Sequence, residues 1–423
     1  MSREIEVWAD WQGLGTATLM GWLSVVITRG KEVFSFCYAE PWLAIDPARQ
    51  LDPDLQLVSG PQYLNSGRKE NFGMFLDSSP DRWGRLLMQR REAAIARETK
   101  RPVRRLRQTD YLLGVHDEQR SGALRFKEPE TSDDWLSNEF LMRTPPWTSL
   151  RELEHASWNI QDLSANDNPH YLEWLNLLIA PGSSIGGARP KAGVRDPDGD
   201  LWIAKFPGRA DDHDVAAWEM LVHQLAFEAG LSVAPADFKC FGGGHHTFLT
   251  RRFDRVPGTR GSKRYHFASA MTLLGHADGD DHFVGASYLE LVEFLSRHGA
   301  QPAVDLAELW RRIVFSIAVS NTDDHLRNHG FLFTENGWIL SPAYDLNSNP
   351  NGTGLSLNIS ESDNALNFDL ALEVAAFFRL KSTTAETILG EVTAALGDWE
   401  KRAKALGIPR TEQEFMAAAF EKR

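Results

Sequence analysis

Three groups of residues in this chain have types and spacings suited to moving a phosphoryl group. That chemistry asks for a backbone cradle around phosphates, a cation against their charge, and carboxylate or amide oxygens that hold a divalent metal beside the attacking hydroxyl. The loop Gly182-Ser-Ser-Ile-Gly-Gly-Ala-Arg-Pro-Lys191 offers the cradle, because the missing side chains of Gly186 and Gly187 let backbone N–H groups approach a phosphate. Lys205 offers the cation from Leu201-Trp-Ile-Ala-Lys-Phe206, where apolar neighbours place its ammonium on a rigid strand. The oxygens come from Asp323-Asp-His-Leu-Arg-Asn328 and from Asp345 in Ser341-Pro-Ala-Tyr-Asp345. Asp323 would accept or orient the acceptor hydroxyl proton, the carbonyl oxygen of Asn328 would ligate the metal, and Asp345 would add a second ligand. Each signal is weak by itself. A glycine-rich turn before a strand is usually only a turn, a strand lysine can snorkel, and Asp-x-x-x-x-Asn is common by chance. Their weight lies in standing in series.

The elements that must hold these residues can be read around them. Glu4 to Trp8, Gly13 to Val26 and Glu32 to Tyr38 alternate β-formers with polar residues and predict a small opening sheet. Ser79-Pro80-Asp81 predicts a helix start, with Trp83, Leu86, Leu87 and Arg90 at helical spacing. A polar, acidic stretch from Lys127 ends in Pro145-Pro146 and reads as a linker, which divides the chain into residues 1–127, a linker 128–148, and a larger domain 149–423. Ser149 and Glu152 have the spacing of a capping box. Strands are predicted at Ala192 to Val194 and Leu201 to Phe206 around a Pro197-Asp-Gly-Asp200 turn, then a helix over Asp214 to Ala229 stopped by Gly230, then a strand at Thr247 to Thr250. Leu306 to Ser320 reads as a strongly apolar helix running into Asn321 to Asn328. Phe331 to Phe333 and Trp338 to Leu340 form a hairpin around Glu335-Asn-Gly337, and the rest is mostly helical. Glu219, in the helix after the Lys205 strand, is a candidate ion-pair partner for that lysine, against a solvated helix Glu.

Composition narrows the function classes. The 423 residues are 42% hydrophobic and 24% charged, with 14 Trp and 23 Phe, which excludes disorder as the dominant state and predicts two or three domains. A net charge of −13 argues against a broad basic nucleic-acid surface and leaves only a local patch for DNA. Such a patch could be Arg97, Lys100, Arg101, Arg104, Arg105 and Arg107, although a solvated face or partner-docking patch is an equal reading. Two isolated cysteines, Cys37 and Cys240, fit a reducing compartment. With no apolar leader before Trp11 and no stretch of ~18 apolar residues, the expectation is a cytoplasmic protein without a membrane span. His213, His223, His245, His246 and His266 lack metal-site spacing, and Trp22, Trp83 and Trp218 are expected in the core.

The spacing from Asp323 to Asn328 is that of the protein-kinase catalytic loop, and Lys205 resembles the kinase strand lysine. More specifically, the chain resembles the HipA-type serine/threonine kinases, toxins of bacterial toxin–antitoxin pairs. The matching stretches are Ser184-Ile-Gly-Gly-Ala-Arg-Pro-Lys191, Trp202-Ile-Ala-Lys205, Arg252-Phe-Asp-Arg255, Thr322 to Asn328 and Pro342-Ala-Tyr-Asp345. Weaker likeness runs through Phe75 to Trp83, Leu112-Leu-Gly and Ser121 to Phe126. The resemblance implies an α+β fold, a protein-kinase-like two-lobed domain preceded by a small α+β N-terminal subdomain, with ATP and Mg²⁺ bound between the lobes. It implies nucleotide contacts from Ser184, Gly186, Gly187, Lys205, Arg251, Phe253 and His325, catalysis by Asp323, and metal ligation by Asn328 and Asp345. It also implies autophosphorylation at Ser184, with Ser183 as the alternate, displacing the glycine-rich loop and silencing the enzyme.

Two departures bear on this. Arg251 stands where members often have Glu, at a strand whose adenine contact is expected through backbone groups, and Arg189-Pro190 replaces a frequent Gln and acidic residue. The resulting expectation is an ATP- and Mg²⁺-dependent serine/threonine protein kinase acting on a cellular protein, a translation-related one included, and on itself. Its expected partner is a HipB-like helix-turn-helix antitoxin, with DNA reached only indirectly or through a local basic patch, and no membrane. The alternatives are a small-molecule phosphotransferase of kinase-like fold, which would enclose its acceptor in a pocket, and a non-catalytic subunit of an antitoxin–DNA complex, which would have no need of Lys205, Asp323, Asn328 and Asp345 together.

Overall fold

The computed structural model describes residues 2–45, 50–64, 67–129, 134–138, 144–162, 164–179, 187, 189–242 and 244–421. The chain forms two compact units, the first made of Met1–Arg209 with Asp254–Ala268 and the second of Ala210–Phe253 with Ser269–Arg423.

In the first unit, β1 (Ser2–Ala9), β2 (Thr18–Thr28), β3 (Lys31–Tyr38), β4 (Gln62–Tyr63) and β5 (Leu124–Lys127) form an antiparallel sheet in the order β4-β3-β2-β1-β5. Strand alternation sends Ile5, Val7, Leu23, Val25, Phe34 and Phe36 to the buried face. The register shifts at Val7/Trp8, a bulge that lets β1 bend between β2 and β5. Trp22 departs from expectation: it pairs with Glu6 on the outer face and is half-buried, whereas Trp83 and Trp218 are core residues. The helix Arg82–Glu98 begins as the sequence predicts, with the Asp81 carboxylate accepting from Gly84 N at 2.8 Å. The capping box at Ser149 does not form. A 3₁₀ turn over Trp147–Ser149 runs straight into the helix Leu150–Ile160, so Ser149 already has helical dihedrals and its hydroxyl does not cap.

Arg120, with no exposed surface, ties this unit together by donating to the carbonyls of Ser78, Leu112 and Val115 at 2.7–2.9 Å, its guanidinium 4.6 Å from the Phe126 ring centre. The unit ends in a hairpin of β6 (Lys191–Arg195) and β7 (Leu201–Lys205), in which Lys191 pairs with Lys205 and Gly199 turns the chain at φ +92°.

The second unit opens with the helix Val215–Glu228, stopped at Gly230 (φ +81°), and the hairpin of β8 (Ala236–Cys240) and β9 (His246–Arg251). Its centre is the helix Pro302–Ala318, in which Leu306, Leu309, Trp310, Ile313, Val314, Phe315 and Ile317 have no exposed surface. Pro302 supplies a first-turn residue with preset φ. A hairpin follows, Gly330–Thr334 against Gly337–Leu340. Gly337 sits at φ +125°, and a Cβ there would lie 2.6 Å from the carbonyl oxygen of His298, so both dihedral and space demand glycine. Helices Phe368–Val374, Ser382–Ala395, Trp399–Ala405 and Arg410–Met416 close the unit, fastened by Trp310 Nε1 donating to Ala371 O and Trp218 Nε1 donating to Glu412 Oε2, each at 2.9 Å. Among the described residues no helix is long and apolar enough to cross a membrane.

Candidate active site

The central helix delivers its C-terminus to a loop fixed on several sides. After Ala318 the chain turns at Ser320 (φ +51°), and Asn321 N donates to Ser316 O at 2.8 Å. Thr322 is held at its hydroxyl by Asn349 Nδ2 and at its carbonyl by Ser356 Oγ, both at 2.8 Å. From this platform successive side chains alternate. Asp323 projects outward, its side chain 78% exposed, while Asp324 is buried. His325 follows with Nε2 3.9 Å from Asp323 Oδ1, and a 3₁₀ turn over Leu326–Asn328 brings Asn328 back so that its Nδ2 donates to Asp323 O at 2.8 Å. The two ends of the Asp-x-x-x-x-Asn motif are therefore joined directly. With Nδ2 committed to that carbonyl, Oδ1 is the end of Asn328 that can accept or ligate.

Asp345 follows a residue that is tied to this loop. Tyr344 Oη donates to Arg327 O at 2.7 Å, linking the residues immediately before Asp345 and Asn328. The Phe253 ring packs against Tyr344 with ring centres 5.4 Å apart, which adds the end of the β9 segment to the cluster. Arg251, the last residue of β9, donates its N–H to Pro235 O at 2.9 Å. Asp345 has φ +54°, a left-handed conformation that Asp tolerates better than most residues but that is uncommon and concentrates at functional positions.

Beneath this surface lies a polar cluster that the sequence does not announce. Asp324 Oδ2 accepts from Tyr288 Oη and from Ser316 Oγ, and His329 Nε2 lies 2.8 Å from Asp324 Oδ1. All four residues are buried. Burial alone would push the Asp324 carboxyl up, but His329, Tyr288 and Ser316 together hold it below the usual carboxylate range. Burial beside that carboxylate drives the Tyr288 hydroxyl well above its ordinary pKa. Tyr288 and Ser316 lie 36 and 8 positions from Asp324, so no local pattern could have revealed the cluster.

In the first unit, Gly187 has φ +87°, and the chain leaves the loop into Lys191, whose ammonium lies 2.8 Å from Asp81 with both side chains 2% exposed. Trp83 Nε1 donates to Lys191 O at 3.0 Å. Lys205 stands at the end of β7 opposite Lys191. Ser183, Ser184 and Gly186 lie outside the described residues. Glu219, the candidate partner of Lys205, is buried in the helix Val215–Glu228 of the second unit. In the basic run, Arg101 pairs with Glu92 at 2.6 Å, Arg104 with Asp110 at 2.8 Å and Arg97 with Asp167 at 3.7 Å, so half of those six cations have local acidic partners.

Comparison with known proteins points one way. Residues 183–399, just over half of the chain, match the HipA-like C-terminal domain. The chain is 30% identical over 147 residues to Y4mE of Sinorhizobium fredii, a protein named as a kinase, which covers 34% of this chain and 33% of that protein. It is 26% identical over 149 residues to the serine/threonine-protein kinase toxin HipA of Shewanella oneidensis, covering 32% of this chain and 34% of the toxin. A Haemophilus influenzae protein also named as a kinase is 26% identical over 179 residues, 39% of this chain and 52% of that protein. The aligned stretches thus span between a third and about half of these relatives. The structure of Shewanella oneidensis HipA with HipB and operator DNA superposes with a TM-score of 0.67 at 17% identity, covering 98% of this chain and 95% of that one. The fold is thus the expected one, α+β with a protein-kinase-like two-lobed domain preceded by a small α+β N-terminal subdomain. Together, the matched residues and the shared fold establish that the chain belongs to the HipA-like C-terminal domain family.

Proposed function

We propose that this protein is an ATP- and Mg²⁺-dependent serine/threonine protein kinase. The observation that supports the reading is the Tyr344–Arg327 hydrogen bond, which ties the residue before Asp345 to the residue before Asn328. Asn328 and Asp345 suit Mg²⁺, which takes one or two protein oxygens and completes its shell with water and nucleotide phosphates. Bound there, Mg²⁺ would neutralise charge on the transferring phosphoryl group. Asp323 orients the acceptor hydroxyl and takes its proton, and Lys205 and the backbone around Gly186 and Gly187 bind the phosphates. Phe253, Arg251 and His325 complete the nucleotide contacts.

The exposure of Asp323 favours a protein acceptor over a small molecule, since a carboxylate 78% open to solvent is within reach of a hydroxyl presented by a polypeptide surface. We assign residues 149–423 to catalysis, and the relationship to HipA supports a HipB-like helix-turn-helix antitoxin as partner, with DNA contacted through it. Autophosphorylation at Ser184, or at Ser183, would place about −1.5 to −2 charge in the glycine-rich loop and repel the nucleotide phosphates.

Incubation with γ-labelled ATP and Mg²⁺, followed by mass spectrometry, tests these assignments. Wild type should yield a peptide phosphorylated at Ser184 or Ser183 and label Ser or Thr of protein acceptors, whereas Asp323→Ala should do neither. Label transfer by Asp323→Ala at the wild-type rate removes the kinase reading. A phospho-form that binds ATP as well as unmodified protein removes the off-switch and leaves the kinase assignment standing.

A further inference from the structure

The residues that follow the two functional ends of the catalytic loop are Asp324, after Asp323, and His329, after Asn328. Both turn inward, 4% and 2% exposed, and come together at 2.8 Å. This contact closes the loop from below as the Asn328–Asp323 hydrogen bond closes it from above. Tyr288, the first residue of the helix Tyr288–His298, and Ser316, in the last turns of the helix Pro302–Ala318, both donate to the other oxygen of Asp324. Two helices and both ends of the loop thus meet at one buried carboxylate. The Tyr288 ring also stands edge-on to the His329 imidazole, with centres 5.5 Å apart, which restricts the imidazole's rotation.

A carboxylate in such surroundings is costly. It must lose water, and its partners offset that loss only while the geometry holds, whereas an apolar side chain would fill the space without the penalty. What a carboxylate adds is direction. It fixes the Asp323–Asp324 peptide and, because Asp323 and Asp324 alternate in facing, it fixes the outward aim of Asp323.

We propose that Asp324, clamped by Tyr288, Ser316 and His329, is a positioning residue that sets the aim of Asp323 and the metal-ligating oxygen of Asn328. The proposal rests on the kinase reading above. It assigns Asp324 no contact with nucleotide, metal or acceptor, so its loss should act through the loop it holds. Residues that orient metal ligands from behind typically change metal affinity or activity by about 10–100-fold when removed.

The test uses the full-length chain with Asp324→Asn, Tyr288→Phe, Ser316→Ala and Asp323→Ala, and three readouts. These are phosphate release from ATP with Mg²⁺, Mn²⁺ affinity by electron paramagnetic resonance with a non-hydrolysable ATP analogue, and the thermal midpoint. Asp324→Asn should lower kcat and weaken Mn²⁺ binding by about 10–100-fold each, with the loss of kcat persisting at saturating ATP and Mg²⁺. Tyr288→Phe and Ser316→Ala, which keep the carboxylate and its His329 contact, should move both readouts in the same direction by less. If Asp324→Asn does not fold, these two milder variants decide the matter. A folded Asp324→Asn with wild-type kcat and Mn²⁺ affinity overturns the proposal, even if its thermal midpoint falls, since that is the signature of packing alone. So does wild-type behaviour of both milder variants. Phosphate release by Asp323→Ala at the wild-type rate overturns instead the kinase reading on which the proposal rests.

Discussion

Asp323 and Asp345 are separated by function more than by position. In the proposed site Asp345 would hold the metal, so Asp345→Ala should abolish phosphoryl transfer and also weaken nucleotide binding, measured by titration with a fluorescent ATP analogue in Mg²⁺. In the same proposal Asp323 would act on the acceptor, so Asp323→Gln should bind that analogue nearly as wild type does and still lose turnover. Full activity of Asp345→Ala would take that residue out of the site. At this scale the sequence is informative where chemistry depends on spacing along the chain: Asp323 and Asn328 are five apart, and the hydrogen bond between them closes that interval. It is silent where chemistry depends on side chains from other helices. Nothing near Asp324 foretells that Tyr288 and Ser316 will converge on it.

Helix starts show the same division among elements. Ser79-Pro80-Asp81 announces its helix because it sets capping side chains on both sides of a proline, and the Asp81 carboxylate, in extended backbone, is the one that caps. Ser149 fails because a turn preceding it, invisible to the capping pattern, has already begun the helix. Asp81 does a second job that the cap motif does not foretell, pairing with buried Lys191 at the exit of the glycine-rich loop. Replacing Asp81 with Ala removes the cap and takes a carboxylate away from a buried ammonium, a loss of about 3–5 kcal/mol in urea unfolding. Retained stability would mean that Lys191 reaches water. Trp310, with no exposed surface and its indole N–H on Ala371 O, anchors the central helix, and Trp310→Ala should cost about 3–5 kcal/mol by the same measurement.

The molecule's response to acid depends also on buried groups outside the loop 323–328. Asp52, 1% exposed, has its pKa pushed up to about 6 by burial, against the pull of the Met74 and Asp54 N–H groups. An unfolded chain would ionise it near 3.8. Below about pH 4 both states carry the proton and Asp52 costs nothing; above about pH 6 the folded state must hold a buried charge, so this contribution to stability is lost as pH rises between those limits. The difference amounts to about 3 kcal/mol at 1.36 kcal/mol per unit. Asp52→Asn should therefore gain stability relative to wild type by about that amount as pH is raised from 4 to 7, read as a diverging urea midpoint. Parallel curves would show that Asp52 is not the titrating group. His266 acts oppositely: burial pushes its pKa down to about 3, so the stability of its neutral ring is present above about pH 6.5 and is lost on acidification.

The first unit is not continuous in the chain. Asp254, on the returning segment, accepts from Gly122 N across 132 positions, and Arg264 reaches Asp117 across 147. On a ribosome adding about 5–20 residues each second, the Asp117 carboxylate waits roughly 7–30 s before Arg264 exists to meet it. During that interval a buried acidic site stands half-built while the first strands of the second unit are already emerging. Birth order, rather than stability, then exposes the nascent chain to chaperones, and a pause in translation placed after Ala268 would let the first unit close before Ser269 and the rest of the second are made.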